Sequence, residues 1–168
     1  EESRGRVIAA LTEILKQVPG KRALILENTA GGGETIGGTL KEVALIIKKA
    51  KSPRVGLCFD TAHAFEAGII KAYTPQSVKA LASQMRSTVG AERLVALHVN
   101  DSKTAYHSHH DRHENIGEGY IGEEGFRALA EDPLFRKVPW LLEVPGFDNK
   151  GPDKKNVDIL RRVTGEKK

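Results

Sequence analysis

Four short apolar runs recur about every 40 residues along this chain, and no hairpin turn joins any one of them to the next. They are Lys21 to Asn28, with Ala-Leu-Ile-Leu at its centre, then Arg54 to Asp60, Leu94 to Asn100 and Trp140 to Val144. Strands without hairpins must pair in parallel through right-handed crossovers, and each crossover needs a helix's worth of chain. The intervening stretches supply it. Val7, Ile8, Leu11, Ile14 and Leu15 recur at helical spacing until Pro19-Gly20 ends the pattern, and Leu40, Val43, Ala44 and Ile47 do the same within Thr39 to Ala50. Thr74 is a good N-cap with Pro75 in the first helical position, opening a helix with Val78, Leu81, Ala82 and Met85 that runs to about Gly90. Gly122 to Glu131, stopped by Asp132-Pro133, and Asp153 to Val163 complete the set. The chain is therefore read as α/β, with a parallel sheet whose first strand, bounded by Gly20 and Gly31, is expected to be buried on both faces.

A complete (β/α)8 barrel typically takes ~250 residues, and eight repeats at this spacing would need roughly twice the length available. The 168 residues thus supply about half a barrel, or alternatively a small open sheet of four strands. Opening on Glu rather than Met is expected of a piece of a longer chain. With 39% hydrophobic and 29% charged residues, disorder and collagen-like structure are excluded, and neither a membrane span nor a signal peptide is expected. A single cysteine, Cys58, allows no internal disulfide and points to a cytoplasmic location. It also removes every zinc site that needs two thiolates, so any metal must be held by the six histidines and 22 carboxylates. A net charge of +4 is compatible with a polyanionic partner without requiring one. The basic C-terminal group Lys150, Lys154, Lys155, Arg161, Arg162, Lys167 and Lys168 reads first as a solvated helix face and tail, and second as a phosphate contact.

Each of the four strands finishes in a polar residue that an apolar strand has no structural reason to carry: Glu27, Asp60, His98 and Glu143. Parallel strands bring their C-terminal ends to one face, so these side chains should meet although they are far apart in sequence. Three carboxylates gathered there would repel one another and lose hydration, and a divalent metal is the simplest neutralising partner. Salt bridges to Lys or Arg across the barrel top are the structural alternative. Just beyond the second strand His63 follows Asp60 by three residues, and Asp111 and His113 stand two apart, facing the same way if the segment is extended. Two His and one Asp can hold one Zn²⁺ and leave open positions.

The long irregular stretch from Asp101 to Ile121 is expected to be functional, as structureless loops of that length inside compact domains usually are. His107, His109 and His110 lie in it but are kept outside the ligand set. Gly31-Gly32-Gly33 fails the nucleotide-loop patterns, and is expected to let the chain turn sharply after the first strand and approach a substrate. Cys58, between Leu57 and Phe59, reads as a packed hydrophobe rather than a nucleophile.

In this order, Leu26-Glu27-Asn28-Thr29-Ala30-Gly31, Gly56-Leu57-Cys58-Phe59-Asp60-Thr61-Ala62-His63, His98-Val99-Asn100-Asp101-Ser102-Lys103, Asp111-Arg112-His113, Gly117-Glu118-Gly119-Tyr120-Ile121-Gly122 and Leu141-Leu142-Glu143 resemble the C-terminal part of the endonuclease IV-type apurinic/apyrimidinic endonucleases. The resemblance covers essentially the whole chain. It implies the C-terminal half of a (β/α)8 TIM barrel, so that residues 1–168 form a single domain, an incomplete barrel whose N-terminal strands are absent. It also implies a DNA-repair enzyme that binds three zinc ions in its complete form and cuts double-stranded DNA on the 5′ side of abasic sites, leaving a 3′-hydroxyl. By resemblance Glu27 bridges two zincs, Asp60, His98 and Glu143 complete one of them, and His63, Asp111 and His113 hold the third. Glu143 and Glu27 are the expected catalytic carboxylates. Two further histidines that complete the remaining site belong to the N-terminal half of family members, so about two zinc sites are expected here. Ala62 stands where the family usually has Cys, and His107 where its loop usually has Gly.

Two alternatives stay open. Xylose isomerase-like sugar isomerases and epimerases also place Glu, Asp, His and Glu at successive strand ends, but His63 with Asp111 and His113 favours the phosphodiesterase. A half-barrel fragment, inactive alone and prone to self-association until the missing half is supplied, is the non-enzymatic alternative.

Overall fold

The computed structural model describes residues 2–165, in which helices and strands alternate as the apolar pattern requires. The elements are α1 (Glu2–Gln17), β1 (Leu24–Glu27), α2 (Leu40–Ala50), β2 (Val55–Asp60), α3 (Thr61–Glu66), α4 (Pro75–Thr88), β3 (Leu94–His98), β4 (Asp101–Ser102), β5 (His113–Glu114), α5 (Gly122–Glu131), α6 (Pro133–Arg136), β6 (Trp140–Leu141) and α7 (Lys154–Thr164). β1, β2, β3 and β6 form one parallel sheet in that order, half of a TIM barrel. Arg54, at the start of β2, donates to the carbonyls of Leu15 and Val18 and so satisfies the orphan acceptors where α1 ends. Thr74 caps α4 by accepting from the Ser77 amide, with Pro75 in its first turn, as the sequence predicts.

Along β2 the side chains alternate in direction. Val55, Leu57 and Phe59 enter the core under the helices, where Phe59 and Phe135 pack with ring centroids 6.2 Å apart beside Leu97, Phe126 and Leu129. The other face carries Cys58 and Asp60. Cys58 is buried as expected, and its thiol is pushed up to about 12 by burial and by the charge of Glu27, which leaves it inert. Since Phe59 is wholly buried, Phe59→Ala should cost about 3–5 kcal/mol, read as a lower urea midpoint at an unchanged slope.

Three expectations need correction. β1 is not buried on both faces: Ile25 is 48% exposed, because β1 is an edge strand whose inward face looks onto the open side of the half-sheet. The stretch from Asp101 to Ile121 is not structureless, since β4 and β5 pair antiparallel within it and draw Ser102 against His113. The last strand is shorter than Trp140 to Val144, with ladder pairing confined to Trp140 and Leu141. The basic C-terminal group is largely engaged locally: Arg162 pairs with Glu123 at 2.7 Å, Lys154 with Asp158, and Lys155 sits over the Phe147 ring. Lys167 and Lys168 lie outside the described residues. No helix among the described residues is long and apolar enough to cross a membrane.

Candidate metal centre

Parallel pairing sets Asp60 beside His98 in the register of β2 and β3, with Glu27 ending β1 and Glu143 two residues beyond β6. Glu27, Asp60, His98 and Glu143 each bring one donor atom to within 4.8 Å of the others. His98 Nδ1 lies 3.0 Å from Glu27 Oε1 and 3.1 Å from Glu143 Oε2. Asp60 is fully buried, whereas the Glu143 side chain is 48% exposed, so the group runs from the sheet interior to an open rim.

The second group shares Asp60. Its Oδ1 accepts from the His63 amide at 2.8 Å, and this N-cap starts α3 directly at the end of β2, which is why His63 projects over the strand ends. Asp60, His63 and His113 place their donors within 4.8 Å of one another. Asp111 Oδ1 adds to them from the solvent side, 3.3 Å from His63 Nε2 and 3.7 Å from His113 Nε2. The Nδ1 atoms of His63 and His113 face the carbonyls of Asn28 and Glu143 at 2.9 and 3.3 Å, while their Nε2 atoms converge to 3.4 Å. A ring that donates Nδ1–H to a carbonyl presents its Nε2 lone pair outward, the usual arrangement behind a metal-ligating histidine.

All seven residues singled out in the sequence thus come together. His107, His109 and His110 do not join them: the amides of His107 and His109 donate to the Phe65 and Glu66 carbonyls, and His109 Nδ1 lies 3.1 Å from the Ala30 carbonyl. A side chain at Gly32 would meet the His109 carbonyl at 2.7 Å, so the close approach expected of the glycines is made to the protein's own loop rather than shown toward a substrate. Gly31 and Gly33 do have the positive φ that the sharp turn requires, and His107, where the family's loop usually has Gly, adopts φ +60°.

The residues that hold the seven in place are not among those the sequence pattern singles out. Asn100 donates from Nδ2 to Asp60 Oδ2 at 2.7 Å and accepts at Oδ1 from the Glu143 amide at 2.8 Å. Asn28 grips the Asp60 backbone from both sides, donating to its carbonyl and accepting from its amide. Both asparagines are fully buried and stand within two residues of a strand-end group, which was the available signal.

Among the described residues the ion-pair partners of Glu27, Asp60, Asp111 and Glu143 are histidines, with no Lys or Arg among them. Burial opposes a charged His63 ring, but its hydrogen bond to Glu27 and the charges of Asp60 and Asp111 outweigh burial and lift its pKa to about 10. Burial likewise opposes the charged form of Glu27, yet His63 and His98 bring its carboxyl below the ordinary value. For Asp60 burial wins over His63 and His113, and its pKa is raised. His63 is therefore protonated in the metal-free chain, within a nitrogen and oxygen donor set suited to a divalent cation.

Fold and site together define an α/β half-barrel with a histidine-carboxylate centre at the C-terminal ends of its strands. A family model described as "Xylose isomerase-like TIM barrel" matches residues 1–163, and the chain belongs to that family. Within it the chain groups with endonuclease IV. "Probable endonuclease 4" of Trichlorobacter lovleyi is 43% identical over 160 residues, covering 94% of this chain and 57% of that protein. The Aquifex aeolicus protein of the same name is 36% identical over 164 residues, covering 97% and 57%. The crystal structure of endonuclease IV from Thermus thermophilus matches with a TM-score of 0.81 at 30% identity, over 98% of this chain and 58% of that one. The chain spans about half the length of the curated relatives it matches.

Proposed function

We propose that this chain supplies the C-terminal half of a zinc-dependent DNA-repair endonuclease that hydrolyses the phosphodiester 5′ to abasic sites in double-stranded DNA and leaves a 3′-hydroxyl. The observation that carries this reading is the second group, His63, Asp111 and His113, beside the strand-end group. A sugar isomerase needs the strand-end group alone, whereas phosphodiester hydrolysis calls for several cations around one anion. Glu27, Asp60, His98 and Glu143 would hold one zinc and His63, Asp111 and His113, with Asp60 at their edge, a second. Bound zinc would neutralise the phosphate and lower the pKa of the attacking water.

The protein's own part is to fix geometry and handle protons. Glu27 Oε1 lies 3.0 Å from His98 Nδ1 and 3.2 Å from His63 Nδ1, and in this reading Glu27 would bridge from the strand-end group to the remaining site that further histidines complete. Asn100 and Asn28 hold Asp60 rigidly between them. Glu143, at the open rim, is placed to ligate and to accept a proton at a carboxylate oxygen, ligation being the dominant role because a cation makes a carboxylate a poor base. Residues 1–168 act as a single unit in this reading. Half a barrel leaves β1 and β6 as edges, so incision is ascribed to a barrel completed by further strands, with self-association the expected behaviour otherwise.

Incubating the completed barrel with duplex DNA bearing one abasic site should give a nick whose 3′ end a polymerase extends without further treatment. Conversion of ketoses with no incision would replace this reading by the isomerase. Glu143→Gln should weaken zinc retention in the strand-end group and slow incision together. If the variant kept its zinc and bound abasic DNA normally while losing only the cleavage rate, general base would be the better description of Glu143.

A further inference from the structure

Glu66 is fully buried at the C-terminal end of α3, one turn from His63, with no Lys or Arg paired to it among the described residues. Burial pushes its carboxyl pKa up. Its two oxygens are unequal. Oε1 accepts from Ser102 Oγ at 2.8 Å, Thr104 Oγ1 at 3.2 Å and the Arg112 amide at 3.3 Å, whereas Oε2 is buried with no hydrogen-bond partner. The Glu66 carbonyl also accepts from the His109 amide at 3.0 Å, and the Phe65 carbonyl from the His107 amide at 3.1 Å. The loop between β4 and β5 is thus fastened along its length to two consecutive residues of α3.

Packing alone does not account for a carboxylate here, since Met or Leu would fill the space without the cost of a buried acid. What the carboxylate adds is a fixed point for the Arg112 backbone. Arg112 is flanked by Asp111 and His113, which meet His63 Nε2 at 3.3 and 3.4 Å. One short helix therefore carries one member of the second group and the anchor for the other two.

We propose that Glu66 is a positioning residue that sets the spacing of His63, Asp111 and His113, and through it the affinity of this group for a divalent cation. The proposal rests on the metal-centre reading above. Glu66→Met keeps volume and removes the acceptor, and partners of this kind behind metal ligands are typically worth 10–100-fold in affinity. Zinc titration of the 168-residue chain, followed on the imidazole NMR signals, separates the two groups, because His63 and His113 report one and His98 the other. Glu66→Met should bind zinc at least about tenfold more weakly at His63 and His113 with His98 unaffected, and Glu66→Gln, which presents the same oxygen to the three donors, should restore the wild-type response. Ser102→Ala with Thr104→Val cuts two of the bonds from the loop side and should give the same selective loss, deciding the matter if Glu66→Met does not fold. A wild-type response at His63 and His113 in a folded variant lacking these bonds would overturn the role of Glu66. Silence of His63 and His113 in the wild type itself would instead overturn the metal-centre reading on which it rests.

Discussion

Asp60→Asn is expected to abolish zinc binding at both groups in one step and to reduce incision by the completed barrel by roughly a thousandfold, as loss of several kcal/mol of charge stabilisation implies. Among the described residues no other side chain belongs to both donor sets. Its Oδ1 caps α3 and its Oδ2 takes the Asn100 amide group, so the variant retains one oxygen for the cap while a new NH2 faces the Asn100 donor. Asn100 cannot simply turn over, because its Oδ1 already accepts from the Glu143 amide. The change thus removes a charge, displaces a ligand-bearing strand end, and leaves the hydrophobic core under the helices untouched. Circular dichroism should show a folded chain, and elemental analysis should show it without zinc. A folded Asp60→Asn protein with its full zinc content would mean that Asp60 is only a helix cap.

Much of this arrangement was legible in the sequence because strand ends in a parallel sheet have a fixed destination. Glu27, Asp60, His98 and Glu143 could be assembled from the repeat alone. The residues that hold them could not. Asn28 and Asn100 act on Asp60 from 32 and 40 residues away, and Glu66 fastens Arg112 from 46 residues away, separations that no local pattern encodes. α3 leaves no signature in the sequence because it has six residues and begins immediately after a strand, too short for an apolar period to register. The exposure of Ile25 follows from the edge position of β1, which depends on the sheet order rather than on the composition of the strand.

Zinc affinity at the His63 group should rise steeply with pH. In the metal-free chain hydrogen bonding to Glu27 and the charges of Asp60 and Asp111 outweigh burial and hold the His63 pKa at about 10, against 6.5 for a free imidazole. That raised value means His63 stabilises the metal-free fold fully below about pH 6.5 and ceases to do so as the pH rises through about 10. Zinc needs the neutral ring, so binding below about pH 10 must release the His63 proton, and affinity should climb about tenfold per pH unit, roughly a hundredfold from pH 7 to 9. The two trends run oppositely: the metal-free chain loses stability across this window while the gain on adding zinc grows. Calorimetric titrations in buffers of different ionisation enthalpy would read the released proton directly. A zinc affinity that does not change between pH 7 and 9 would show that His63 is already neutral or is not a ligand.

Diffraction at the zinc absorption edge from zinc-loaded crystals, with elemental analysis of the same preparation, tests the two-group centre most directly. The expected result is nearer two zinc ions than three per chain, with one anomalous peak among Glu27, Asp60, His98 and Glu143 and another among His63, Asp111 and His113. Zinc bound at His107, His109 and His110, with no peak at the strand ends, would contradict the account.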